Sequence, residues 1–305
     1  MPAHDANAVS AIETDLLIEA LYRHSGMDFR AYRKPDIERK LALLCERAGL
    51  ASMSALQGAL LREPRVCQQV SRSLSNSESA LFALPSTLIA LRCAALPVLR
   101  AASWPSIWLA ECADDKLLLQ LVAMLEEEGL LAKTQLFVTS AHDALVREVA
   151  ALRLTHAQME REEERFLMAG GQRGLRAYCN EDAGGFQLKA SVRANIVGSQ
   201  YDLASGASFR EFELIVCQRP LNCLELSSQR RAVGLFRQSL CNFGILHIDS
   251  PDDAIVSELT RDFLCVLADQ GLYRLIPSGS GQRPFERRAR ARSGQRYCSP
   301  ILRNA

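Results

Sequence analysis

The side chains with the most obvious chemical capacity are the histidines, the cysteines and a cluster of arginines near the C-terminus. His24, His142, His156 and His247 are scattered with carboxylates nearby in sequence. No H-x-x-x-H or H-E-x-x-H spacing puts two imidazoles on one helical face, so no metal site is expected. The ten cysteines form no C-x-x-C pair, and most lie among leucines and valines, where a free thiol behaves as a small buried hydrophobe. Cys112 and Cys217 each close an apolar, strand-like run, which would set a thiol over the ligand-binding edge of a sheet. No sequence feature supplies either with a base. Arg283 and Arg287 make an R-x-x-x-R spacing found in some cyclic-dinucleotide receptors, but such spacing is common in any arginine-rich tail, and a solvated basic tail is the plainer reading.

The elements that would carry such groups follow from composition and pattern. With 305 residues, 48% apolar and 23% charged, the chain is sized for two modest domains of a soluble, cytoplasmic protein. Its apolar runs are broken by charges before the roughly 18 residues that a membrane span requires. The net charge of +1 is uneven. Residues 278–305 hold seven arginines against Glu286, and the remaining 29 basic and 34 acidic residues carry −5. Nucleic acid is therefore not an expected partner of the body. The tail has too little apolar content to pack and is expected to be disordered.

From Ile12 to about Leu96 apolar residues recur at three and four positions, which predicts an all-helical domain over residues 1–95, punctuated by Gly26, Pro35, Gly49 and Pro64. Ser52 is placed to cap the helix containing Ala55 to Leu61. Beyond Pro97, Ser106–Cys112 and Thr134–Ser140 read as strands around a helix at Lys116–Glu128. Phe212–Cys217 and Phe243–Asp249 repeat the unit around a helix at about Ser227–Leu240. Alternating strands and helices predict a mostly parallel sheet covered on both faces, over residues 96–277. Between these halves, Leu145–Met168 has helical period. Phe186, Leu188, Ala190, Val192 and Ala194 alternate as in a half-buried strand, so a small β insert is expected at about 165–200.

Two stretches resemble a known family. "GMDFRAYRKPDIERKLALLCERAGLASMSAL", through Gly26, Asp28, Phe29, Tyr32, Arg39, Gly49 and Ser52, resembles the opening of CheR-type chemotaxis receptor methyltransferases. "FELIVCQRPLNCLELSSQRRAVGLFRQSLCNFGILHI" looks like that family's strand, its C-R-N-x-L-I-Y-F segment, the Gln-containing helix and the final glycine turn. The likeness runs in consistent order from about Leu21 to Ile276. It implies an α/β fold: a helical N-terminal domain followed by a Rossmann-like class I methyltransferase domain with a small antiparallel β insert. It also implies S-adenosylmethionine as cofactor and receptor glutamates as substrate.

The family's polar positions are altered where its apolar frame persists. Its first cofactor motif, approximately I-W-S-A-G-C-S-T-G-E-E, aligns with "IWLAECADDKL", so Glu111 and Asp115 replace the two glycines that let the chain turn and the cofactor approach. Ser140 stands where the family's ribose-binding aspartate ends a strand, with Asp143 a conceivable substitute. Ala83 replaces the arginine of N-x-T-x-F-F-R-D-P, and Gln218 and Arg219 replace the arginine and asparagine of C-R-N. A cation at Arg219, ending a sheet strand, could pair with Glu111 or Asp115 across the pocket and plug it. The resulting expectation is a CheR-like protein of bacterial chemosensory or surface-behaviour signalling, a pseudoenzyme with a degenerate pocket at Ala83, Glu111, Asp115, Ser140 and Arg219. It would need no cofactor and act by binding a protein partner, a chemoreceptor or signalling protein, through the basic helix bearing Arg33, Lys34, Arg39 and Lys40 or through the β insert. The alternatives are an active S-adenosylmethionine-dependent protein-glutamate O-methyltransferase, and a regulatory module binding another anion, such as a cyclic dinucleotide, with Arg283 and Arg287 as anion ligands.

Overall fold

A computed structural model of the chain describes residues 3–75, 84–112, 115–141, 146, 147, 149, 151–203 and 206–277. The first four helices, α1 (Ala3–Ser25), α2 (Lys34–Ala48), α3 (Met53–Arg62) and α4 (Pro64–Ser75), close around Leu17, Leu21, Phe29, Leu41, Leu60 and Val70. The breaks fall where the sequence places them. Gly49 ends α2 in the left-handed conformation at φ 64°, which costs glycine nothing, and the Ser52 hydroxyl accepts the Ala55 N–H at 3.1 Å to cap α3. No described helix is long and apolar enough to cross a membrane.

Helix α5 (Pro85–Ala101) leaves this cluster and lays Leu88, Leu91, Ala95 and Leu99 against the sheet that follows. That sheet has seven strands: β1 (Ser106–Ala110), β2 (Gln135–Ser140), β6 (Ile196–Gln200), β7 (Phe212–Cys217), β8 (Leu240–Ile248), β9 (Phe263–Leu267) and β10 (Leu272–Leu275). Their order is β6-β2-β1-β7-β8-β10-β9, parallel through β8 and antiparallel at β10 and β9. Alternate residues of one strand enter opposite layers. Ile107 and Leu109 join α5 and α6 (Asp115–Glu127), while Trp108 and Ala110 join α9 (Leu226–Ser239) and α10 (Asp253–Asp262). A sheet buried on both faces explains why β1 reads Ser-Ile-Trp-Leu-Ala with no solvent-facing position.

A second sheet, β3-β5-β4, is antiparallel and contains β3 (Arg153–Leu154), β4 (Cys179–Asp182) and β5 (Gly185–Leu188). Here two expectations are corrected. The helical period over Leu145–Met168 is interrupted, because Leu152 turns at φ 36° and Arg153–Leu154 pair with Gln187 and Phe186. Helix α7 (His156–Met168) then starts afresh behind a Thr155–Gln158 capping box. The alternation from Phe186 to Ala194 is also not one strand. It ends at Leu188, gives way to a short helix, α8 (Ala190–Arg193), and resumes at β6, an edge of the large sheet.

Candidate functional site

The strand order reverses on either side of β1, so β1 and its neighbour β7 flank a crevice beyond their carboxyl ends, where open α/β sheets receive ligands. Backbone bonds tie the end of β1 to both neighbours: the Gln218 N–H beyond β7 donates to the Ala110 carbonyl at 3.1 Å, and the Cys112 N–H donates to the Thr139 carbonyl of β2 at 2.9 Å. Glu111 and Arg219 are therefore delivered side by side from positions 108 residues apart in sequence. The Arg219 Nε donates to Glu111 Oε2 at 3.0 Å, with the two side chains only 2% and 4% exposed.

Glu111 has the backbone of the residue type that the resemblance expects there. Its φ is 49°, in the left-handed region that glycine enters freely and other residues at a cost of about 1–2 kcal/mol. Burial raises its carboxyl above the ordinary carboxylate range, while the Arg219 guanidinium and the Ala141 N–H pull the other way. Burial also works against the charge on Arg219, yet Tyr32 and Glu111 hold the guanidinium above the ordinary arginine range. The guanidinium carbon lies 4.9 Å from the centroid of the Tyr32 ring, a cation–π contact. Arg219 Nη1 is buried and has no hydrogen-bond partner among the described residues.

Tyr32 reaches this place because the segment between α1 and α2 is strapped onto the α/β body. It forms a β-bridge with Leu224, the Arg33 N–H donates to the Cys223 carbonyl, and the Glu225 N–H donates to the Ala31 carbonyl. Beside the bridge, Arg33 pairs with Asp252, and the fully buried Gln229 donates to both Asp252 and the Leu224 carbonyl at 2.9 Å. What is left of the crevice is a pocket of about 390 Å³, counting its open mouth, lined by Asp28, Tyr32, Glu111, Asp202, Arg219 and Ser228 among others.

Ser140 is buried at the end of β2, its carbonyl accepting from the Tyr201 N–H at 2.8 Å. Asp115 opens α6, with its side chain outside the described atoms, and Ala83, Asp143, Arg283 and Arg287 lie outside the described residues. On the basic helix, Lys34 pairs with Asp15 and Arg39 lies 3.8 Å from Asp36. Lys40 donates to the Leu74 carbonyl, and Arg33 is turned inward to Asp252. Cys217 is no nucleophile at neutral pH, since burial and then Glu111 push its thiol up to about 12. No group of three or more histidine, cysteine or acidic side chains suited to a metal occurs among the described residues. Sequence reasoning missed Tyr32 as the platform under Arg219, and Gln229 and Asp252 as the clasp. Tyr32 sat in plain view within the G-x-D-F-x-x-Y segment, and only the fold reveals what it covers.

A helical N-terminal unit strapped over the switch point of a seven-stranded, mainly parallel sheet defines a Rossmann-like methyltransferase fold carrying a small antiparallel β unit. The all-alpha domain model of the CheR methyltransferases matches residues 12–75. A Pseudomonas putida KT2440 protein named "Putative methyltransferase Cher3" is 30% identical over 265 residues, covering 86% of this chain and 96% of that protein. The chain belongs to the CheR methyltransferase family. CheR-type methyltransferases use S-adenosylmethionine. Where the resemblance expects a glycine, this crevice holds the buried Glu111 carboxylate, paired with Arg219.

Proposed function

We propose that this CheR-family protein works without methyl transfer, as a binding component of bacterial chemosensory or surface-behaviour signalling in the cytoplasm. The observation that carries the proposal is the Glu111–Arg219 pair. A ligand that separates the pair would leave a buried charge uncompensated, which typically costs about 3–5 kcal/mol. The intact strap supports the same reading, since Tyr32 and Leu224 close the crevice from the helical side. Function then resides in the protein's surfaces, and a chemoreceptor or signalling protein is the partner the family suggests.

Titration calorimetry of the full chain with S-adenosylmethionine and S-adenosylhomocysteine tests this. No heat of binding is expected up to about 1 mM ligand, a limit that corresponds to roughly 4 kcal/mol of affinity. Micromolar binding of either compound would overturn the proposal and restore the protein-glutamate methyltransferase reading.

A further inference from the structure

Two large aromatic side chains stand in solvent at the amino end of the large sheet, opposite the crevice. Trp104, two residues before β1, is 74% exposed, and Phe243, in β8, is 57% exposed. Phe243 also holds φ at 65°, a left-handed conformation that a bulky residue adopts only at a cost, where the register between β7 and β8 shifts. The sheet brings the two rings together. Ile107 of β1 lies opposite Leu214 of β7, which sets Trp104 level with Glu211, the residue before β7. On the other side of β7, Phe212 pairs with Leu240 and Leu214 with Ile245, so Phe243 falls level with the same end. Trp104, Glu211 and Phe243 thus sit on three successive strands, the outer two about 10 Å apart at the spacing of a sheet. Glu211 is exposed and forms no hydrogen bond or ion pair among the described residues. The cations near it are engaged elsewhere: Arg210 lies over the Phe137 ring and donates to Gln135, Arg237 pairs with Asp262, and Lys133 donates to the Ala102 carbonyl.

The chain itself supplies a segment that matches this surface. Strand β10 runs antiparallel to β8 with Arg274 opposite Ile245, so Ile276 falls level with Phe243, and the described residues end at Pro277. Residues 278–305 therefore start one strand away from Phe243 and three from Trp104, a span of about 15 Å that about five extended residues cover. They carry seven arginines against Glu286, with too few apolar residues for a core of their own. A guanidinium can stack on an aromatic face and pair with a carboxylate at the same time. Phe243, Glu211 and Trp104 offer ring, carboxylate and ring in a row, and Arg283 and Arg287 are the first cations to reach them. Because the segment is tethered beside the surface, its effective concentration there is on the order of millimolar, and weak contacts suffice to hold it.

We propose that residues 278–305 dock on their own chain across Phe243, Glu211 and Trp104, with arginine guanidinium groups over the two rings and beside the carboxylate. The proposal is independent of whether the crevice at the other end of the sheet binds a cofactor. Part of the contact is between exposed charges, so salt weakens it.

Acrylamide quenching of the full chain tests it, with circular dichroism to confirm that each variant is folded. The protein has two tryptophans and Trp108 is fully buried, so the quenchable emission belongs to Trp104. Quenching should be slow at low salt and rise about threefold in 1 M NaCl, or when Arg283→Glu, Arg287→Glu, Arg288→Glu and Arg290→Glu are combined. Trypsin should cut at the arginines of the segment about tenfold faster in Trp104→Ala and in Phe243→Gly, the second of which suits a left-handed position. Both effects should be independent of protein concentration. Trp104 equally quenchable in the unaltered and the charge-reversed chain, or cleavage indifferent to Trp104→Ala and Phe243→Gly, would overturn the proposal. Protection that disappears on dilution would do so too, by assigning the segment to the surface of a second copy.

Discussion

Replacing Arg219 by methionine isolates the energetics of the buried Glu111–Arg219 pair. The pair is separated by 3.0 Å and nearly solvent-free, so at an effective dielectric of about 20 its attraction is about 5 kcal/mol. Desolvation offsets much of that in the intact protein. Removing one partner leaves the desolvation of Glu111 in place while deleting the attraction, which typically costs about 3–5 kcal/mol. With a urea slope of about 3 kcal/mol per molar, the unfolding midpoint should fall by about 1 M or more at pH 8. The pH dependence has a definite sign. Burial already raises the folded Glu111 carboxyl above its ordinary 4.5, and without Arg219 it rises further. Above about 4.5 the unfolded chain has released a proton that the folded variant still holds, so folding loses ground as pH rises. The deficit of Arg219→Met against the unaltered protein should therefore shrink towards pH 4.5 and widen through neutrality. A deficit below about 1 kcal/mol at pH 8, or one that is the same at both ends of the range, would refute the reasoning.

Two further predictions rest on other buried polar groups. His247, fully buried in β8, has its imidazole lowered by burial to about 4 from 6.5, so native-state stability should be complete above pH 6.5 and decline by about 3 kcal/mol as pH falls towards 4; urea midpoints for His247→Gln should be flatter over that window. Gln229→Leu removes the donor to Asp252 and to the Leu224 carbonyl together with the acceptor for the Asp252 N–H, so stability should fall by about 2–4 kcal/mol and limited proteolysis between Gly26 and Arg33 should accelerate.

The legible parts of the fold are those governed by local rules. Strand period, turn glycines and the Ser52 cap depend on neighbours in sequence, and the structure has β7 at Phe212–Cys217 and α9 at Leu226–Ser239, as the pattern predicts. The misreadings arise where one period serves two purposes. Helical spacing continues across Leu152 although the chain turns there, and the overlooked signal was the T-x-x-Q of Thr155–Gln158, a capping box inside an apparently continuous helix. Likewise the alternation after Phe186 carries no information on which sheet a residue joins, and β5 and β6 belong to different ones. The site divides the same way. Which family positions have changed is visible in the sequence, and so is the charge that could answer Glu111. That Tyr32 supports this charge from another part of the chain, and that Asp252 and Gln229 hold the neighbouring Arg33 and Leu224, follows only from tertiary packing.

Glu111 and Arg219 make physical sense only as a unit, which gives a test sharper than either deletion. Glycine at position 111 would relieve a left-handed glutamate, a gain of about 1–2 kcal/mol, but in the unaltered protein it also strands the buried Arg219, a larger loss, so Glu111→Gly should destabilise. With asparagine already at position 219, as in the C-R-N pattern, the same change removes a lone buried carboxylate and the strain together, so Glu111→Gly should then stabilise. Urea unfolding of both single variants and the double variant reads this reversal of sign directly, and independent sites cannot produce it. If Glu111→Gly destabilises both backgrounds equally, the carboxylate is held by something other than Arg219. If the sign reverses, the crevice is closed by two residues that are each costly alone, and the double variant is the form in which an open pocket should first be sought.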